Sequence, residues 1–435
     1  MTTWTNWSGT FTCTPARIEE PASTADVQRA VRRAREDGHR VKAIGAGHSF
    51  TPIARSDGVQ LRLDRLTGIE HADPHTAIVT VRAGTRLAEL GEELWARGLS
   101  MSNLGDIDVQ TISGAISTGT HGTGARLGGI ATQVRGLELV LADGSLLACS
   151  NEQNADVFQA ARVGLGSLGV ITSVTLQCEP AFALAATEAP DTLDAVLADL
   201  DGPHGLVDAN EHFEFYWFPH TRAVLTKRNN RVATGTPLRP VDRMRRYLED
   251  ELLSNTVFDG INRITTRRPQ LIPRANAIAA RALSARTFVD RSYRVFASPR
   301  RVRFREMEYA VPRAAVPTVL SEIETYLARS GELIGFPIEV RFAAADDIWL
   351  STANGRDTGY IAVHQYIRRD HQAYFAAVEE IAEAVGGRPH WGKLHNRDAP
   401  SLRGAYPHFD DFTAVRDRLD PARIFGNDYL DQVLG

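Results

Sequence analysis

A two-domain protein that mixes short helices with short strands is what this sequence predicts, on three observations. At 435 residues and 43% hydrophobic the chain exceeds what one core usually serves. Its first third alternates helical and β-rich runs. Composition then shifts after Cys178-Glu179-Pro180, which places a domain boundary near Pro180.

Taken in order, Ser23 or Thr24 caps a helix whose Val27, Ala30, Val31 and Ala34 share one face, with Gly38 placed to end it. A strand follows at Val41 to Ile44. Val59, Leu61 and Leu63 alternate with polar residues as a half-buried strand would, and Ile78 to Val81 repeats the signal. Leu87, Leu90, Leu94 and Trp95 mark a helix closed by Gly98. Asp143-Gly144 between two apolar runs reads as a hairpin turn. Val170 to Leu176 is another strand, and a short helix is expected near Leu193 to Leu200. His212 to Phe218 suits a strand of a new sheet. Arg239 to Ser292 is basic and helix-prone, and no chemistry is assigned to it. Beyond it come a strand from Val302, a helix through Val316, Val319, Leu320, Ile323 and Leu327, and strand-like runs at Pro337 to Phe342, Tyr360 to Tyr366 and His390 to His395.

Charge and cysteine usage narrow the function. Forty-nine basic against 53 acidic residues leave a net charge of -4, and the one local basic cluster is Arg300, Arg301, Arg303 and Arg305, so nucleic acid is not an expected partner. Cys13, Cys149 and Cys178 are odd in number and not in metal-ligand spacing, which suits reduced thiols in the cytoplasm, without a disulfide. No secretory leader or spanning run is read from the sequence, and membrane contact is expected to be peripheral at most.

Two glycine-rich stretches carry the candidate chemistry. Ile44 leads into Gly45-Ala46-Gly47-His48-Ser49-Phe50, and Thr111 stands ahead of Ser113-Gly-Ala-Ile-Ser-Thr-Gly-Thr-His-Gly-Thr-Gly124. Glycine lets main-chain N–H groups close around an anion, so two such loops suggest one long phosphate-bearing cofactor. Neither fits the Rossmann or P-loop spacing, and either alone is an ordinary turn. Glu339 and Arg341 project to one face of a strand, with Ile338, Val340 and Phe342 on the other. They suit a polyhydroxylated ligand, although on these residues alone a same-face surface ion pair is the reading that comes first. Lys393, after Trp391 and Gly392, is read as an ammonium beside an aromatic wall. His212 and Glu214 make a tempting metal pair, but without a third ligand they read as same-face polar residues on a strand edge, and no metal is expected.

Gly45 to Phe50, Ser113 to Gly124, Glu339-Val340-Arg341 and His390-Trp391-Gly392-Lys393 together resemble the aldonolactone oxidoreductases. This branch of the vanillyl-alcohol-oxidase-like flavoproteins includes gulonolactone and arabinonolactone oxidases or dehydrogenases and the alditol oxidases. The match runs from about Trp7 to Leu430. It implies an α+β, two-domain fold: an FAD-binding domain at 1–180, an α+β cap at 181–380 and a C-terminal segment, 381–435, returning to the first domain.

By the same resemblance FAD is the cofactor. Ile44 to Phe50, Gly105, Asp106, Thr111, Gly114, Ser117, Thr118, Gly119, Thr120, His121, Gly122, Val170, Ile171, His390 and Lys393 would bind it, His48 covalently. Glu339, Arg341, His364 and Lys393 would serve catalysis: hydride transfer from a carbinol C–H of an L-gulono-, L-galactono- or D-arabinono-1,4-lactone to flavin N5, with oxygen or another acceptor reoxidising the flavin. Gly105 stands where relatives place a small gatekeeping residue, which leaves room for oxygen. Tyr366 replaces the threonine of alditol oxidases and favours a lactone. An alditol oxidase and a non-catalytic flavin-binding protein are the alternative readings.

Overall fold

The structure, a computed structural model, describes residues 3–202, 204–242, 255–298 and 300–435. Near the N-terminus, Arg17–Glu19, Val59–Arg62 and Val41–Ile44 form a parallel three-stranded sheet with Val59–Arg62 in the middle. Its burial corrects the expectation of a half-buried strand. Gln60 is fully buried along with Val59 and Leu61, because both faces of this strand are covered and neither is left to solvent. Helix Thr24–Glu36 buries Val27, Ala30, Val31 and Ala34, and the Ser23 hydroxyl accepts from the Asp26 N–H at its start.

An antiparallel five-stranded sheet follows, in the order Leu146–Ser150, Val134–Val140, Val170–Gln177, Ile78–Arg82, Ile69–Asp73. The Asp143-Gly144 turn joins its first two strands as expected, with Gly144 at a φ of 78°. The core under these two sheets also receives Leu402, Phe409, Phe412, Val415, Leu430 and Val433 from the C-terminal helices Ala399–Ala405, Phe409–Leu419 and Asp428–Leu434.

A second core lies against an antiparallel eight-stranded sheet. Its order is Arg286–Arg291, Ala183–Thr192, Ala223–Arg231, His212–Trp217, Ile338–Ala343, Thr358–Tyr366, Phe304–Pro312, Arg388–Pro389. Helices Val316–Ser330 and Gln372–Ala384 cover one face, packing Val319, Ile323, Phe375 and Val378 on Val340 and Ile361. His212–Trp217 is therefore an interior strand, not an edge: it pairs with Ala223–Arg231 on one side and Ile338–Ala343 on the other.

The basic stretch contains helices Phe258–Arg267 and Ile272–Ala282 and the strand Arg286–Arg291. Its part at 243–254 lies outside the described residues. Among the described residues no helix is long and apolar enough to cross a membrane.

Candidate active site and cofactor cradle

The first glycine loop is held open by what surrounds it. Gly47 has a φ of 69°, and a Cβ there would lie 2.9 Å from the Trp4 ring. At Gly45 a Cβ would run into the Thr111 hydroxyl, which caps the second loop's short helix Ile112–Ser117 by accepting from the Gly114 N–H at 3.2 Å. The two loops thus touch where a side chain is missing. Between them opens a cleft lined by Ile44 to Ser49, Thr111, Gly114, Ser117, Thr118 and Ile171, with Lys42, Gln110, Ser113 and Gly166.

A second cavity shares His48, Ser49, Gln110 and Thr118 with the first. Its walls carry Phe50, Asp106, Thr120, His121, Arg300, Glu306, Glu308, Glu339, Arg341, His364, His390 and Lys393. The loop and the lysine segment are joined through the backbone: Phe50 N–H donates to Gly392 O at 2.7 Å. Residues 390–394 in turn lie along strand Phe304–Pro312, with His390 N–H donating to Glu308 O at 3.0 Å and Leu394 N–H to Glu306 O at 2.9 Å.

Buried and half-buried charges fill this chamber in compensating groups. Lys393 Nζ lies 2.5 Å from Glu306 Oε1, and His364 Nε2 lies 3.5 Å from the same oxygen. Burial opposes ionisation of Glu306, but Lys393 and His364 outweigh it and hold the carboxyl down at about 2. Burial likewise works against the Lys393 charge, yet Glu306 and Glu308 raise its pKa above the ordinary lysine value. Arg341 pairs with Glu339, donates from Nε to Glu214 at 3.0 Å and lies 3.3 Å from Asp106, which also accepts from Arg300 at 2.5 Å. Burial lifts Glu339 above the usual carboxylate range despite Arg341. His121 Nδ1 is 2.9 Å from Gly122 O and Nε2 2.9 Å from Glu308, and its ring stacks on Tyr360 at 3.5 Å.

His48 stacks on Trp7 at 5.1 Å. Burial, with Lys393 and Arg303 adding repulsion, lowers its pKa to about 4 and leaves the imidazole neutral at pH 7. Its position on the seam between the two cavities is set by the loop.

Four expected cofactor residues line neither cavity: Gly105, Gly119, Gly122 and Val170. Gly119 sits at a φ of 75° in the turn after helix Ile112–Ser117, and Val170 is buried in the sheet. Gly105 and Gly122 border a smaller cavity behind Asp106 and Arg341. A Cβ on Gly105 would press on the Thr120 methyl group at 3.1 Å.

Three other readings are corrected. Residues 390–395 form a turn, not a strand. Trp391 is no wall of the chamber: it is fully buried, stacks on Tyr406 at 5.0 Å and donates to Leu350 O, while Trp7, Phe50 and Phe304 supply the aromatic wall. Tyr366 packs behind Phe50 and Phe304 and is not part of the chamber lining, and its hydroxyl donates to Asp259 at 2.8 Å.

Sequence reasoning missed Glu306, Glu308, Tyr216, Arg300 and Gln110, and read Glu214 as an edge residue. The alternation Glu306-Met307-Glu308 was the available signal: two carboxylates on one face of a strand whose other face is core. Tyr216 pairs directly across the ladder from Glu339 and donates to it at 2.8 Å.

These residues fit FAD on grounds internal to the chain. The glycines leave a cradle that Cβ atoms would fill, and Gln110 Oε1, on the wall common to both cavities, is buried without a hydrogen-bond partner.

A family model for D-arabinono-1,4-lactone oxidase matches residues 174–433 and one for an FAD binding domain matches 15–150. The chain belongs to the D-arabinono-1,4-lactone oxidase family. This family member is 44% identical to the L-gulono-1,4-lactone dehydrogenase of Mycobacterium tuberculosis (strain ATCC 25618 / H37Rv) over 432 residues, 99% of each chain. It is 36% identical to the L-gulonolactone oxidase of Bos taurus, over 98% of this chain and 97% of that one. The alditol oxidase of Streptomyces sp. (strain IKD472 / FERM P-14339) is more distant, at 31% over 99% and 98%. In fold it resembles cholesterol oxidase from B. sterolicum, with a TM-score of 0.82, 20% identity and coverage of 100% of this chain and 96% of that one. The expected α+β flavoprotein fold holds, and the family member is an FAD-dependent oxidoreductase.

Proposed function

We propose that this enzyme oxidises a sugar-derived 1,4-lactone of the L-gulono, L-galactono or D-arabinono type. The observation that carries the reading is the meeting of Lys393, Arg341, Glu339 and His364 in one chamber that shares His48 with the glycine-loop cradle. Bound in that cradle, FAD supplies the two-electron acceptor for hydrogen leaving a carbinol C–H.

The chain's own residues handle the alcohol. Glu339, braced by Tyr216 and Arg341, orients hydroxyl groups. The Lys393 ammonium and the Arg341 guanidinium stabilise negative charge on the oxygen as its proton leaves, because fixed charges in a water-poor cavity need no reorganisation. His364, with Nδ1 3.2 Å from Pro337 O and Nε2 towards Glu306, is set to take part in moving that proton.

His48 is proposed as the covalent attachment point. Its neutral, stacked imidazole is the form able to act as a nucleophile. Oxygen is the acceptor we assign, on the resemblance that puts Gly105 at the gatekeeping position, although Gly105 borders the smaller cavity behind Asp106 and Arg341. Reduced flavin persisting for minutes in air would make the enzyme a dehydrogenase instead. On this reading residues 1–180 and the returning segment 381–435 hold FAD, and 181–380 form the cap. Three separate free thiols support a cytoplasmic setting.

A substrate panel tests the proposal. L-gulono-, L-galactono- or D-arabinono-1,4-lactone should bleach the visible flavin band under anaerobic conditions, and xylitol and sorbitol should not. Bleaching by the polyols alone would make it an alditol oxidase, and bleaching by neither class a non-catalytic flavin protein.

A further inference from the structure

Lys42 has no part in the chemistry above, yet it is buried where a lysine is costly. It lies within strand Val41–Ile44 at 3% exposure. Its three hydrogen bonds all go to backbone carbonyls: Gly166 O and Phe425 O at 3.1 Å and Leu165 O at 3.5 Å. Among the described residues it enters no ion pair. The acids that face it are Asp420 and Asp431, and both are committed elsewhere. Asp420 accepts from the Ile424 and Phe425 N–H groups at 2.8 Å, and Asp431 pairs with Arg40 at 3.1 Å. Burial, with repulsion from Arg416, outweighs these two acids and pushes the ammonium down to about 7.

The carbonyls that Lys42 gathers belong to the wall of the cofactor cleft. Lys42, Leu165 and Gly166 all line that cleft. Leu165 and Gly166 are consecutive left-handed residues, with φ of 55° and 60°. Leucine takes this conformation only where its surroundings impose it, and here the ammonium draws both carbonyls to one side. Across a trans peptide the N–H opposes the C=O, so the Gly166 N–H is turned away from the lysine, and it meets no acceptor among the described residues. Leu165 N–H donates to Ser117 O at 3.0 Å, which ties the turn to the end of the second glycine loop's helix. One wall of the cleft thus carries an unpartnered N–H backed by a cation without a counter-charge, a pairing complementary to an anion.

We propose that Lys42 is a positioning residue for the diphosphate of FAD and makes retention of the cofactor depend on pH. Charged, the ammonium holds the turn at 165–166, anchors the returning segment at Phe425 and sets a positive charge behind the wall. Its three protons are taken up by carbonyls, so it attracts the diphosphate through space. Neutral, it holds the turn less firmly and attracts nothing. The diphosphate keeps its charge across the neutral range, so bound FAD favours the charged lysine, and by reciprocity the charged lysine favours bound FAD. Affinity is therefore greatest below the pH at which free Lys42 loses its proton and falls as pH rises through it.

The test is FAD dissociation from the full-length His48→Ala protein, in which the cofactor is exchangeable, followed by flavin fluorescence on dilution between about pH 6 and pH 9, with and without Lys42→Met. Where Lys42 is kept, the Kd should rise about tenfold over that range. In Lys42→Met it should be about tenfold higher already at the acidic end and flat with pH. Riboflavin, which has the ring but no phosphate, separates charge from fold: its Kd should not change with pH in the protein that keeps Lys42. That comparison needs no substitution at Lys42, so it decides even where Lys42→Met does not fold. An FAD Kd independent of pH where Lys42 is kept, an equal slope for riboflavin, or an equal slope in Lys42→Met would overturn the proposal.

Discussion

Lys393 Nζ and Glu306 Oε1 lie 2.5 Å apart on the floor of the chamber, joined by a segment whose backbone runs beside the strand that bears the glutamate. The lysine keeps its charge in a half-buried place because the carboxylate is there.

Replacing that partner should move the enzyme's pH response. In Glu306→Gln the carboxylate that raises the Lys393 pKa is gone, so the alkaline fall in kcat should shift to lower pH while flavin content stays normal. Superimposable pH–rate profiles would contradict the pairing. Stability changes at the other end of the scale. Glu306 titrates at about 2 in the folded chain against 4.5 ordinarily, so its stabilisation is complete above pH 4.5 and is lost as pH falls towards 2. Wild type should therefore lose on the order of 2–3 kcal/mol more than Glu306→Gln over that window, measured by urea melts at stepped pH.

Gly45→Ala should damage cofactor binding by disturbing the contact between the two loops. The new methyl group collides with the Thr111 hydroxyl that caps the second loop, an overpacking cost of about 1–3 kcal/mol. Purified protein should carry less flavin than wild type and melt at lower temperature. Full flavin occupancy would show that the loops do not need their contact.

Tyr216→Phe removes the hydroxyl that donates to Glu339. Glu339 would then be braced by Arg341 alone, and KM for the lactone should rise about tenfold, with a smaller change in kcat. An unchanged KM would place substrate away from Glu339.

Acid precipitation locates the flavin bond. Colour should remain with the pellet in wild type and pass to the supernatant in His48→Ala, which should still purify yellow. Colour in the supernatant from wild type would remove the covalent link and leave the cradle.

Much of this was legible in the sequence, and the residues that were not share a cause. Gly45 to Phe50, Ser113 to Gly124, Glu339 and Arg341 stand out because glycines and charges break an apolar pattern locally. Glu306, Tyr216 and Glu214 do not show these partners along the chain. Their roles come from ladder register: Glu306 lies opposite His364 and Tyr216 opposite Glu339, pairings set by strands far apart in sequence. Trp391 misled for the converse reason. Its neighbours Gly392 and Lys393 face the chamber, but the turn sends the indole into the core beside Tyr406. Gln60 misled because alternation says nothing about a strand covered on both faces.

The most direct measurement is anaerobic stopped-flow bleaching of the flavin band by L-gulono-1,4-lactone, comparing wild type with Lys393→Ala at equal flavin content. The expected result is rapid bleaching in wild type and bleaching slowed about 100-fold or more in the variant, the scale of losing one fixed charge from a preorganised site. Equal rates in the two proteins would contradict the assignment of the chamber's charges to the chemistry.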